Sequence, residues 1–111
     1  VLEVKGQKVL LGGDSGYGLH FTEIGRRLGP FELVILENGQ YDHKWRYIHL
    51  LPEEAAQAAE ELCAKKLLPV HSGKFALANH PWDEPRKRLA AASLGKSYEL
   101  LTPGLGESVE F

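Results

Sequence analysis

The sequence predicts an α/β fold whose central strands are mainly parallel and whose helices lie on one face of the sheet. Three observations predict it. Apolar runs at 9–11, 31–37 and 67–70 alternate with segments of helical period. Right-handed strand-helix-strand units make such strands parallel. Each run stops beside glycine, at Gly12-Gly13-Asp14, Asn38-Gly39 and His71-Ser72-Gly73. Parallel strands finish on one edge, where ligands and metals sit in open α/β sheets. The pattern therefore expects an Asp, an Asn and a His on one rim.

Taken in order, Val1 to Lys5 reads as a strand, and Gly6-Gln7 as a two-residue hairpin loop with glycine first, the type II′ preference. Lys8 to Leu11 returns and delivers Asp14. Phe21, Ile24 and Leu28 then share one helical face, closed by Gly29-Pro30. Phe31 to Glu37 is a mostly apolar run, as expected of a strand buried on both faces. A twelve-residue polar and aromatic loop follows, from Gln40 to Leu51, near the length at which a loop is usually functional. Pro52, Glu53 and Glu54 open a helix with buried Ala55, Ala59 and Leu62, and Lys65 and Lys66 are expected at its C-terminal turn. Pro69 inside the third run suggests an edge strand or a local irregularity. After the loop through Phe75 to Trp82, Asp83 caps a helix carrying Leu89 and Ala92, closed near Gly95. Tyr98 to Leu101 and Ser108 to Phe111 read as two last strands.

At 111 residues the chain is one domain with a modest core. It is 43% apolar and 25% charged with net charge −2, so it is globular in composition and carries no excess of basic charge for nucleic acid. No apolar run spans a bilayer and no signal peptide is visible. The lone Cys63 excludes an internal disulfide framework and fits a reducing compartment. A cytoplasmic location is expected, with an upstream signal or lipoprotein anchor left open. The chain opens on Val1 and has no methionine, so it is expected to be an excised piece of a longer protein.

Among the chemistry-bearing residues, Asp14 reads as a nucleophile-elbow neighbour, a phosphate-loop acid, a metal ligand or a turn residue. Gly-Asp-Ser-Gly also offers Ser15 as a serine nucleophile. The chain lacks the Asp-x-x-His partner of one esterase class and the all-β length of the chymotrypsin type, and Tyr17 breaks a Gly-x-Ser-x-Gly elbow. No Gly-Lys-Ser/Thr follows the glycines, which removes a P-loop. His71 at a strand end, beside Asp14, is a candidate ligand for zinc, manganese or iron. His49, just before the Pro52 helix, is a candidate general acid or phosphate contact, against a capping or packing role. Asn38 on the rim and Tyr41 in the loop are the candidate substrate contacts, although aromatics such as Tyr41 more often pack.

These residues resemble a family. Gly13-Asp14-Ser15-Gly16-Tyr17, Ile24-Gly25-Arg26-Arg27-Leu28-Gly29-Pro30-Phe31-Glu32-Leu33, His49-Leu50-Leu51-Pro52-Glu53-Glu54-Ala55, Val70-His71-Ser72-Gly73-Lys74-Phe75-Ala76-Leu77 and Glu84-Pro85 are similar, in one collinear order, to the C-terminal half of metallo-β-lactamase-fold hydrolases. The nearest branch holds N-acyl-phosphatidylethanolamine phospholipase D and RomA-like bacterial proteins. The resemblance implies an αββα sandwich of two halves with two divalent metal ions, zinc first, between them. It implies that Asp14 bridges the metals, that His71 is the last histidine ligand, and that His49 is a non-ligand histidine near the scissile phosphate. It further implies a phosphodiesterase-like hydrolase using a metal-bound hydroxide. A sugar-phosphate lactonase of the same fold and a non-catalytic structural half are the alternatives. Ser72 replaces a common Trp, and Glu37-Asn38-Gly39-Gln40-Tyr41 replaces an apolar-Gly-Ala-Tyr run, so the substrate does not carry over beyond a small-molecule or lipid phosphoester. The family's His-x-His-x-Asp-His motif is absent from these residues. The expected partner is therefore a missing N-terminal half, or a second copy of the chain, seated on an uncovered sheet face that includes alternate residues of Phe31 to Leu36.

Overall fold

A computed structural model describes residues 1–75 and 77–111, so Ala76 of the fourth resembling block lies outside the described residues. Five strands run in the order β1-β2-β3-β4-β5: β1 (Leu2–Val4), β2 (Gln7–Leu11), β3 (Leu33–Glu37), β4 (Lys66–Val70) and β5 (Glu99–Leu100). Only β1 and β2 pair antiparallel, and every other neighbouring pair is parallel. Among the described residues, three α-helices link them: α1 (His20–Leu28), α2 (Pro52–Glu61) and α3 (Glu84–Ala92). The expected α/β class, parallel centre and single helical layer are all present. Among the described residues, no helix is long and apolar enough to cross a membrane.

The core forms where the helices meet one side of the sheet. Leu10, Val34, Leu36 and Leu67 pack with Phe21, Phe31, Leu50, Leu62 and Leu89. Helix α2 is the centre of this layer because Ala55, Ala56, Ala58 and Ala59 are all buried and let neighbours approach closely. Helix α1 presses so close to α2 that a Cβ on Gly25 would strike the Glu61 carbonyl. Leu28, expected on the buried face of α1, is 44% exposed, because the helix ends there and Gly25 occupies the contact instead.

The opposite side of the sheet follows the alternation of strand residues. A row of paired residues, Leu11, Ile35 and Leu68, crosses it. Leu11 is 55% exposed and Val70 39%, while Ile35 and Leu68 are half-buried. The expected exposure of alternate residues across 31–36 is thus narrowed to Ile35. Phe31 lies ahead of β3 and packs in the core, and Leu33 is buried.

Other expectations are corrected. The hairpin turn is Lys5-Gly6, since Val4 pairs Gln7, and both turn residues have positive φ (51° and 79°), the type I′ pattern. Lys65 and Lys66 do not cap α2: Lys65 pairs with Glu32 at 2.7 Å and Lys66 opens β4. Asp83 caps α3 by position but spends its carboxylate on Lys87. Strand β4 is not at the edge. Pro69 shares parity with Leu67, whose carbonyl accepts from the Leu101 N–H, so its nitrogen faces the side β5 has already left. Ser108 to Phe111 forms no strand. Its alternation suits a ladder, yet its recorded tie to the sheet is a side chain, Lys66 Nζ donating to the Glu110 carbonyl at 2.9 Å.

Candidate metal centre

Asp14, Asn38 and His71 arrive at one end of the sheet because β2, β3 and β4 run parallel. The Gly12 N–H extends the ladder one step past β2 by donating to the Ile35 carbonyl at 2.9 Å, and Asp14 follows two residues later. The Asn38 N–H does the same past β3, donating to Val70 O at 3.0 Å. His71 comes directly after β4 with φ of 68°, a left-handed backbone that few non-glycine residues adopt and that recurs at functional sites. Gly39 allows this bend to sit where it does, because any Cβ there would overlap the His71 carbonyl.

The geometry joins three side chains. Asp14 Oδ2 lies 3.9 Å from His71 Nε2, and the His49 and His71 rings stack with centroids 5.5 Å apart. Asp14, His49 and His71 each offer one ligand-type atom, all within 4.8 Å of one another. Asp14 and His71 are open, with side chains 59% and 37% exposed, whereas the His49 side chain is 14% exposed. A carboxylate and an imidazole close together in the open form a donor set suited to a divalent cation. The residues present therefore fit a metal.

His49 is delivered by the loop before α2. A short 3-10 turn over His43–Trp45 is capped by Asp42, which accepts from the Lys44 N–H at 2.9 Å. The His49 N–H then bonds the Trp45 carbonyl at 2.9 Å, and the Trp45 ring meets the His49 ring edge-on at 6.0 Å. Glu37, the last residue of β3, completes the setting. It is 1% exposed, accepts the Leu50 N–H, and puts Oε1 3.4 Å from His49 Nδ1. Burial pushes its carboxyl up to about 7, against the pull of the Leu50 N–H and of His71. Sequence reasoning missed Glu37 as a functional residue. Its one signal was an acid closing an otherwise apolar run.

Asn38 and Tyr41 are placed differently. Asn38 is fully buried and donates Nδ2 to the Pro85 carbonyl at 3.1 Å. Tyr41 is buried too, donating its hydroxyl to Glu84 at 2.6 Å, with His80 stacked at 4.1 Å and Arg88 over its ring. Arg88 in turn grips Glu53 with two bonds of 2.9 and 2.7 Å. This cluster fastens the loop to α3 and α2, and its burial and the Glu84 bond push the Tyr41 hydroxyl up to about 12. Gln40 similarly pins the following loop, donating to the Phe75 carbonyl and accepting from the Leu77 and Ala78 N–H groups. Ser15 Oγ sits 3.2 Å from His20 Nε2, but the pair is exposed, and among the described residues no carboxylate is hydrogen-bonded to that imidazole.

A sheet rim that gathers an exposed Asp and His beside a shielded His is a cluster of metal-type donors at the strand ends of an α/β fold. Residues 1–72 match the family model described as the beta-lactamase superfamily domain, and the chain belongs to that superfamily. It is 56% identical over 68 residues to the outer membrane protein RomA of Klebsiella pneumoniae, covering 61% of this chain and 52% of RomA. It is 27% identical over 103 residues to N-acyl-phosphatidylethanolamine-hydrolyzing phospholipase D 1 of Caenorhabditis elegans, covering 86% of this chain and 29% of that protein. In structure it resembles Igni18, a metallo hydrolase from the archaeon Ignicoccus hospitalis, with a TM-score of 0.70 at 21% identity, over 98% of this chain and 44% of that one. That last likeness is one of fold. The chain spans about half of RomA and less than a third of the phospholipase. The superfamily's metallo-hydrolase fold implies divalent metal binding.

Proposed function

We propose that the full-length protein is a phosphodiesterase of the phospholipase D kind, with two divalent cations, zinc first, held between this chain and the rest of the molecule. The observation that carries the reading is the cluster of Asp14, His71 and His49 at the strand ends. Bound metal supplies Lewis-acid activation of water and of the ester oxygen. Asp14 and His71 would hold the cations. His49 stays outside the ligand set, because the ring lies against Glu37 and Trp45, and it exchanges a proton with the leaving oxygen or binds a nonbridging one. A cleft of about 370 Å³ beside His71, lined by Gln40, Ser72, Lys74, Phe75 and Leu77, offers a cation for an anionic headgroup and apolar surface for a chain. The named activity of the nematode relative supports the same choice of ester.

The remaining ligands are assigned to the part of the protein beyond these residues, packed on the row Leu11, Ile35 and Leu68. The test uses the full-length protein with a phosphodiester, an N-acyl-phosphatidylethanolamine and a lactone as substrates. Chelation should abolish phosphodiester hydrolysis and zinc should restore it. Hydrolysis indifferent to chelation, or confined to the lactone, contradicts the proposal.

A further inference from the structure

Three buried polar atoms near the rim have no hydrogen-bond partner, Glu37 Oε2, Asn38 Oδ1 and His49 Nδ1, and the first and last belong to neighbouring side chains. The other Glu37 oxygen lies 3.4 Å from that nitrogen. That oxygen, Oε1, already accepts the Leu50 N–H, while Oε2 is open; a carboxylate with acceptor capacity to spare thus stands beside an unpartnered ring nitrogen, within reach of it but not bonded to it. Catalytic hydrogen bonds in substrate-free sites are often long or misaligned and tighten when the site fills. Leu50 is one residue beyond His49. One buried side chain therefore fixes the backbone beside His49 and faces its ring.

We infer that Glu37 is the positioning residue for His49, accepting Nδ1–H of the imidazole and leaving Nε2 as the nitrogen free to take and return a proton at the rim. Which nitrogen of a histidine carries the proton is set by the bond the other one makes. Trp45 and His71 limit ring rotation from two further sides, with centroids at 6.0 and 5.5 Å. Glu37 itself is only 1% exposed, so its effect passes through His49. The assignment of a proton-exchanging role rests on the proposed hydrolase reading, while the tautomer does not.

The experiment records long-range proton–nitrogen correlations on full-length protein labelled with 15N-histidine, using His49→Gln to assign the signal. Wild-type protein should show His49 protonated at Nδ1 and bare at Nε2. Glu37→Gln, which keeps a carbonyl for Leu50, should mix the two tautomers. It should also lower kcat about 10- to 100-fold with metal content and KM unchanged, a part of the roughly 10²- to 10⁴-fold that a well-positioned proton-transferring group contributes. In a His49→Ala background the same substitution should cost less than about 2-fold, since coupled residues are not additive. Nε2–H in the wild type, an unchanged tautomer in Glu37→Gln, or equal losses in both backgrounds would overturn the assignment. The tautomer is read without substrate. A wild-type protein with no hydrolytic activity therefore defeats the proposed reaction, while an Nδ1–H signal still supports Glu37.

Discussion

Asp14 and His71 approach to 3.9 Å although β3 lies between the two strands that deliver them. The contact is possible because both residues stand past the ends of their strands, above the sheet edge rather than in it. Neither side chain belongs to the core. Asp14→Asn and His71→Ala in the full-length protein should therefore lose metal and activity together, with stability changed by no more than about 0.5 kcal/mol. Elemental analysis and thermal unfolding measure the two effects. Full metal occupancy in either variant removes that residue from the ligand set. Ser15→Ala should retain most activity, and its complete loss would revive a serine nucleophile.

Gly39→Ala should be as damaging to the metal site as a ligand substitution, although Gly39 carries no donor. Its Cβ would displace the His71 carbonyl and with it the imidazole. The expected cost is about 1–3 kcal/mol, as for other forced overlaps in packed regions, with reduced metal content. A stable variant with full metal would show that the two backbones separate freely.

Tyr41→Phe separates scaffold from substrate contact. Loss of the Glu84 bond should lower stability measurably, since the Tyr41 hydroxyl is buried and would no longer be tied to α3. KM should stay within about 2-fold of wild type if the hydroxyl only fastens the loop. A large rise in KM at unchanged stability would place Tyr41 on the substrate.

The Glu37 carboxyl gives a pH signature. Its pKa rises on folding, from the ordinary 4.5 to about 7, because burial disfavours its charge. Between those values the folded state binds more protons than the unfolded one, so wild-type stability falls as pH rises through that window. Above about 7 the difference levels off, at about 3 kcal/mol in total from the size of the shift. Glu37→Gln removes this contribution. Urea unfolding of both proteins in metal-free buffer should show wild type losing ground to the variant from pH 5 to 7. The opposite slope would mean that the carboxyl is held charged.

Much of the arrangement was legible in the sequence because strand ends are legible. Apolar runs broken at glycine located Asp14 and His71, and parallel crossovers put them on one rim. Glu37 was not, because an acid at the end of an apolar run reads as a residue turning toward water. Only the return of the Leu50 N–H and the His49 ring from the loop keeps it inside. Asn38-Gly39 reads as a turn, and nothing local reveals that glycine is demanded by a neighbouring strand's carbonyl. The Lys5-Gly6 turn differs by one residue from expectation because two-residue hairpins accept glycine first or second, and cross-strand pairing decides between them.

The row Leu11, Ile35 and Leu68 predicts association. The isolated 111-residue chain should sediment as a dimer or larger species at micromolar concentration, since exposed apolar patches mark interfaces or aggregation. A well-folded monomer would show that this face needs no cover.

The central claim is that this rim holds metal through Asp14 and His71, with His49 beside it and not in it. An anomalous difference map from crystals of the full-length protein, recorded across the zinc edge, tests it most directly. The account predicts a peak about 2.0–2.2 Å from a carboxylate oxygen of Asp14 and from His71 Nε2, with His49 outside bonding distance. A metal bound elsewhere, or one ligated by His49 in place of His71, would contradict it.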